Sequence, residues 1–87
     1  MSKEEILKSL ARVKREVGKL NVDQAADKAR IQQLIDDLEQ RLESPGALDH
    51  KDMADQIDDT LKELEVEHPT ITGILNGIAT TLSNYGI

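Results

Sequence analysis

PTITGILNGIATTLSNYGI, the stretch from Pro69 to Ile87, carries no charged side chain, although 11 basic and 17 acidic residues precede it. Its large apolar residues recur at spacings of three and four, which predicts a helix with one apolar face. The residues of that face are Ile71, Ile74, Leu75, Ile78 and Leu82. An apolar face needs cover, so the rest of the chain is expected to pack against it.

The composition favours a small helical domain. The chain has 87 residues, a net charge of −6, no cysteine, and Tyr85 as its one aromatic residue. A chain of this length buries only about 60–65% of the surface it exposes when unfolded, so the core is thin. Aliphatic side chains without aromatics suit interdigitating helices. We therefore predict one helical domain over residues 1–87.

The first half of the chain predicts two helices. Ser2 and Glu5 have the spacing of a capping box, which predicts a helix over residues 3–20 with an apolar seam. The seam comprises Ile6, Leu10, Val13, Val17 and Leu20, widened by Leu7. Asn21-Val22-Asp23 is the expected exit from this helix, because Asn tolerates the left-handed conformation and Asp23 can cap the next helix, over residues 24–43. The face of the second helix comprises Ile31, Leu34, Ile35, Leu38 and Leu42, extended by Ala25 and Ala29.

Two further helices are predicted after the Ser44-Pro45-Gly46 break. Asp49 is the expected cap of a helix over residues 50–67, with Met53, Ile57, Leu61 and Leu64 as its stripe and Ala54 beside it. His68-Pro69 ends that helix, and Pro69 suits the first turn of a fourth, over residues 69–84. Ala79 is expected at the margin of its face, and Gly86 is predicted to cap it. The fold class is thus an all-α, up-down antiparallel bundle of four helices, whose core dimerisation would complete.

Charge is distributed unevenly along these helices. Residues 1–20 hold six basic and three acidic side chains, whereas residues 44–68 hold two and eight. The first helix is therefore an electrostatic complement to the third, within one chain or between two. Four carboxylates of the third helix form a candidate acidic docking face: Asp52, Asp55, Asp59 and Glu63. A solvated face is the simpler interpretation of this cluster, and a docking face for a basic partner is the alternative.

The sharper candidate surface is on the fourth helix. Thr70, Gly73, Gly77, Thr81 and Asn84 share a face of mostly small groups beside the apolar stripe. Each glycine within a helix costs about 0.8–1.0 kcal/mol relative to alanine, so close approach of another helix is the expected benefit. That helix belongs to the same chain or to a second copy. Because a charge-free helix is poorly suited to be an exposed wall, we favour a homodimer with this face at the interface.

The sequence gives no pattern for catalysis or for a cofactor. It has no cysteine nucleophile and no glycine-rich phosphate loop, and its serines have no recognisable base. Glu65 and His68 have the Glu-x-x-His spacing of di-iron sites, but such sites need two copies and further carboxylates. We therefore expect no enzyme activity, no cofactor and no metal. His68 is interpreted as a surface or capping histidine, and with Pro69 it forms a candidate junction that sets the angle of the last helix.

Partners other than proteins are not expected. Nucleic-acid binding relies on clustered basic residues, and often on aromatic stacking, which a net charge of −6 and a single aromatic residue do not provide. The last helix has too many Thr, Asn and Ser residues for a bilayer span, so no membrane association is expected. The amino end has no signal-peptide core, and a cytoplasmic location is the default expectation.

Two segments resemble a known family. Glu67-His68-Pro69-Thr70-Ile71, together with the terminal Leu82-Ser83-Asn84-Tyr85-Gly86-Ile87, is similar to family 4404 of the domains of unknown function, which are small bacterial helical proteins. Tyr85 stands where that family's pattern leads us to expect Met. The resemblance implies a helical fold and draws attention to the carboxyl-terminal segment, but it implies no activity, cofactor or catalytic residue.

Two hypotheses about function follow. The first is a non-enzymatic helical protein that self-associates and acts as a protein-interaction module. The alternative is a small cytoplasmic regulator that binds a partner protein through the acidic third helix or the charge-free fourth helix. The Gly73/Gly77 face discriminates between them, because a face buried completely by self-association cannot also receive a partner.

Overall fold

The computed structural model of the protein describes residues 3–43 and 50–85. Within them the chain forms four α-helices, and a 3-10 turn at Val22–Gln24 precedes the second. The helices are α1 (Lys3–Val17), α2 (Ala25–Glu43), α3 (His50–Glu63) and α4 (Pro69–Tyr85). The predicted caps at Ser2, Asp49 and Gly86 and the break at Ser44-Pro45-Gly46 lie outside the described residues.

The helices form an up-down four-helix bundle, which confirms the predicted fold class. Each helix packs against the next one along the chain, and α4 closes the ring by packing against α1. In the described part of the chain, no Cα atoms of either diagonal pair of helices, α1 with α3 or α2 with α4, lie within 8 Å of each other. The bundle measures 38 × 20 × 18 Å. The side formed by α1 and α4 therefore lies opposite the side formed by α2 and α3.

The core is built from the predicted apolar stripes. Its buried hydrophobic residues are Ile6, Leu10, Val13, Val17, Ile31, Leu34, Ile35, Leu38, Leu42, Met53, Ala54, Ile57, Ile71, Leu75, Ile78, Ala79 and Leu82. Five more stripe residues are partly buried against it: Leu7, Leu20, Leu61, Leu64 and Ile74. The interior contains no aromatic side chain among the described residues, and branched aliphatic side chains fill it. Ala25 and Ala29 are exposed, so the expectation that they extend the face of α2 was wrong.

The first helix is shorter than predicted. It ends at Val17 and not at residue 20, because the next amides bond to carbonyls three residues back: Lys19 to Glu16 and Leu20 to Val17, each at 3.1 Å. This tighter turn carries Leu20 back toward the core, where it is partly buried.

Asn21 leaves α1 without the left-handed conformation that asparagine tolerates at such a position. Its φ and ψ are −79° and 166°, which is extended backbone, and it caps the 3-10 turn. The amide of Asn21 donates to the side-chain oxygen of Gln24 at 3.2 Å, and the amide of Gln24 donates back to the carbonyl of Asn21 at 3.0 Å. Asp23, the predicted cap of α2, lies inside this turn.

Between the described residues of α1 and α3, the predicted charge complement is not the arrangement that the bundle favours. The two helices are diagonal in the bundle, so the charges of α1 meet α2 instead: Lys14 Nζ lies 2.8 Å from Glu39 Oε2. On the next side, Arg41 of α2 lies 2.9 Å from Asp52 of α3. Both pairs are solvent-accessible, and such pairs contribute about 0–1 kcal/mol each.

Candidate functional site

Both glycines of α4 face open space. A Cβ atom built on either Gly73 or Gly77 meets no heavy atom within 4 Å. The two residues are exposed, so no helix of the same chain approaches them. The interpretation that this face receives a helix of its own chain was therefore wrong, and folding one chain does not explain the cost of the two glycines.

The glycines line a shallow, open groove between α1 and α4. It has a volume of about 410 Å³, and its lining residues are Ser9, Arg12, Pro69, Thr70, Gly73, Ile74, Gly77 and Ile78. Ile74 and Ile78 form its apolar floor, and Arg12 is the charged residue among those that line it. We refer to this feature as the α1–α4 groove.

The predicted small face only partly coincides with this groove. Thr70, Gly73 and Gly77 line it, whereas Thr81 and Asn84 continue along α4 beyond it. Thr81 is half-buried, and its hydroxyl donates to the carbonyl of Gly77 at 3.0 Å. This bond satisfies the Thr81 hydroxyl within its own helix, so the outer surface of α4 keeps a weakly polar, uncharged character.

The most buried polar contact of the described chain joins Asp27 and His68. Asp27 is 2% exposed and His68 is 6% exposed, and His68 Nε2 lies 2.9 Å from Asp27 Oδ2. Of the two interpretations of His68, as a surface or a capping histidine, the surface position was wrong, whereas His68 does directly precede the first residue of α4. The His68 ring points into the bundle, where it is hydrogen-bonded to the carboxylate of Asp27.

Asp27 also binds the backbone of the connection between α3 and α4. Its carboxylate accepts the amides of Glu65 at 2.9 Å and Val66 at 3.3 Å. These amides would otherwise continue α3, which explains why that helix ends at Glu63 and not at residue 67 as predicted. The Arg30 guanidinium lies 3.3 Å from the same carboxylate.

These contacts decide the ionisation of Asp27. Burial by itself would raise the pKa of this carboxyl, but the amide of Glu65, the His68 ring and the amide of Val66 together hold it below the ordinary value of 3.8. Asp27 is therefore an anion and an acceptor. The facing His68 Nε2 must then carry the hydrogen and donate it.

The candidate junction of His68 and Pro69 marks the start of α4. Pro69 is the first residue of the helix, and the carbonyl of His68 accepts the amide of Thr72 at 2.8 Å. The His68 side chain is hydrogen-bonded to Asp27 of α2, and its backbone directly precedes α4. The junction therefore holds the start of α4 against the start of the diagonally opposite helix, α2.

The candidate acidic face lies away from the α1–α4 groove. Its four carboxylates, Asp52, Asp55, Asp59 and Glu63, are exposed on α3 and line a shallow depression beside α2. Arg41 of α2 also lines it and binds Asp52. The chain thus supplies part of the positive charge that the docking interpretation of this face assigns to a basic partner.

Two other kinds of site are absent from residues 3–43 and 50–85. No group of three or more His, Cys, Asp or Glu residues could hold a metal ion. No helix within 3–43 or 50–85 combines the length and the apolar character that a membrane crossing requires.

Sequence reasoning missed three residues of these sites. Ser9 and Arg12 form the α1 wall of the groove, and nothing in the sequence places α1 rather than α3 beside the glycines. Asp27 had a weak signal, because it lies one turn before Ile31 on the apolar face of α2. An acidic residue on a buried stripe predicts a buried partner, but the sequence does not identify that partner as His68.

Comparisons with known proteins agree with the resemblance noted in the sequence. No curated protein and no solved structure matches the chain. A family model does match, over residues 6–87, and its description is domain of unknown function (DUF4404). The match includes all of α2, α3 and α4 and most of α1, and the chain therefore belongs to the DUF4404 family.

Proposed function

We propose that this protein is a non-enzymatic helical interaction module that self-associates as a homodimer through the small-residue face of α4. The observation that carries the proposal is the open space over Gly73 and Gly77. Two exposed mid-helix glycines together cost nearly 2 kcal/mol of helix stability (about 0.8–1.0 each), and the isolated chain gains no contact in return. Close packing of another helix backbone against this surface requires residues as small as glycine, and this would account for the cost.

The character of α4 supports the same proposal. Its 17 residues contain no acidic or basic side chain, whereas α1, α2 and α3 all carry charges on their exposed faces. An uncharged helix surface loses little hydration free energy when a partner covers it. We place this module in the cytoplasm, since a chain without cysteine suits a reducing compartment.

The test is sedimentation velocity on the wild type and two variants. We expect a wild-type dimer at concentrations on the order of tens of micromolar. Gly77→Leu should give a monomer, because its side chain would occupy the space that the partner needs. Gln40→Leu is the control, since Gln40 is exposed on α2, which is diagonal to α4 in the bundle, and it should remain a dimer. A monomeric wild type would refute self-association.

The alternative regulator hypothesis predicts a different result in affinity capture. A regulator that uses the α4 face would lose its protein partner on Gly77→Leu without any wild-type dimer being present. One that uses the acidic face would lose it on charge reversal of Asp55 and Asp59 and would keep it on Gly77→Leu. The Arg41–Asp52 pair, which partly neutralises the acidic face, makes us favour the α4 face.

A further inference from the structure

We infer that each α4 of the dimer lies in the α1–α4 groove of the other copy, so that α1 forms half of the interface and Ser9 and Arg12 are contact residues. This inference rests on the proposed self-association and specifies its geometry. Contact through α4 alone would leave α1 outside the interface.

The first argument is the position of the open space. The free positions above Gly73 and Gly77 do not lie over an isolated ridge of α4, because these glycines form one wall of a groove whose other wall is α1. Ile74 remains only partly buried at the base of this groove. A helix that covers Ile74 therefore contacts Ser9 and Arg12 at the same time.

The second argument is charge, which selects the occupant. Within the described residues, α1, α2 and α3 carry charged residues in every turn of their exposed faces, and only α4 carries none. Moving an unpaired charge into an apolar groove is costly. Of the helices of a second copy, α4 is thus the one that enters without burying a charge. Arg12 can keep its charged end in water while its aliphatic stem covers the incoming helix.

The third argument is symmetry. Two-fold symmetry makes the seating reciprocal, because the α4 that fills a groove also provides one wall of the other groove. Contact along α4 alone would leave both grooves unfilled.

The first experiment compares two tryptophan variants of α1 by sedimentation equilibrium. Ser9→Trp fills the groove from the α1 wall and should raise the dimer dissociation constant by at least about tenfold. Ala11→Trp is the matched control. Ala11 is exposed on α1, and because it follows Ser9 by two residues it points to the other side of the helix. It should change the constant by less than about twofold. Circular dichroism melts establish that both variants fold.

The second experiment uses the absence of cysteine from the natural chain. Ser9→Cys and Thr80→Cys proteins carrying different tags are mixed and treated with a short bismaleimide. Thr80 is exposed on the outer side of α4, so α4 seated in the groove should give a Ser9–Thr80 heterodimer. Ala11→Cys mixed with Thr80→Cys should give little product.

The outcomes separate this inference from the proposal beneath it. A wild-type dimer that Ser9→Trp does not weaken, with no cross-link from Ser9, overturns the seating in the groove and leaves self-association through α4 standing. A monomeric wild type overturns both. A dimer weakened by Ser9→Trp and cross-linked between Ser9 and Thr80 supports both.

Discussion

Asp27 joins two connections of the bundle that are far apart along the chain. It lies in the first turn of α2, and its carboxylate binds the amides of Glu65 and Val66 and the ring of His68. One buried side chain therefore ends α3 and fixes the start of α4. Removing one partner from such a buried pair is strongly destabilising, because the other is left without compensation.

The prediction at the residue scale is that Asp27→Asn lowers the free energy of unfolding by about 1.5–3 kcal/mol, because hydrogen bonds to a buried carboxylate are lost or weakened. The expected pH dependence follows from the lowered pKa of Asp27. Its stabilising effect is present above the ordinary pKa of 3.8 and is lost as the pH falls through the lower pKa of the folded state. Urea unfolding at a series of pH values, followed by circular dichroism, measures both effects.

Asp23→Asn is the control for this prediction, because Asp23 is exposed in the neighbouring 3-10 turn. It should change the stability by less than about 0.5 kcal/mol near neutral pH. The wild-type stability should fall more steeply below pH 3.8 than that of Asp27→Asn. Parallel curves for the two proteins would show that Asp27 is not stabilised as an anion.

At the scale of the element, α4 combines two faces with different roles. Ile71, Leu75, Ile78 and Leu82 are buried and close the bundle, while Gly73 and Gly77 are exposed. The buried face stabilises the helix by packing, and the glycines reduce its stability. The helix is thus less stable in the isolated chain than its length and packing would permit.

We therefore predict that alanine at either glycine stabilises the monomer. Gly73→Ala and Gly77→Ala should each raise the free energy of unfolding by about 0.8–1.0 kcal/mol in dilute solution, because the new methyl group meets no atom within 4 Å. Gly18→Ala is the control: it lies outside α1, and its Cβ would sit 3.4 Å from the Arg15 carbonyl. Its gain should be smaller. Loss of stability at Gly73 or Gly77 would mean that the space is not open.

At the scale of the whole molecule, stability depends on one thin aliphatic core that all four helices share. Leu75 is fully buried in it, whereas Val22 is 91% exposed at the turn between α1 and α2. A cavity in this core removes packing contacts. A chain of this length buries too little other apolar surface to offset their loss.

The corresponding prediction contrasts these two positions. Leu75→Ala should lower the free energy of unfolding by about 2–5 kcal/mol, enough to unfold a large share of a domain of this size at elevated temperature. Val22→Ala should change it by less than about 0.5 kcal/mol. Thermal and urea unfolding of the two variants give the comparison. Equal losses would contradict the single core.

The sequence by itself determined the helices, their order and their buried faces. Spacings of three and four among aliphatic residues act within one helix, so Leu10, Ile31, Ile57 and Leu75 could each be assigned to the core without knowing their neighbours. Proline likewise has a local effect, and Pro69 begins α4 as predicted. These features depend on residues that are adjacent in the chain.

Tertiary structure alone decided which groups meet across the bundle. The end of α3 depends on Asp27, which lies 38 residues from the Glu65 amide that it binds. The α1–α4 groove depends on α4 closing the ring against α1, which leaves α1 and α3 apart. Long-range contacts of this kind are set by the packing of whole helices, so no local pattern of spacing, charge or propensity records them.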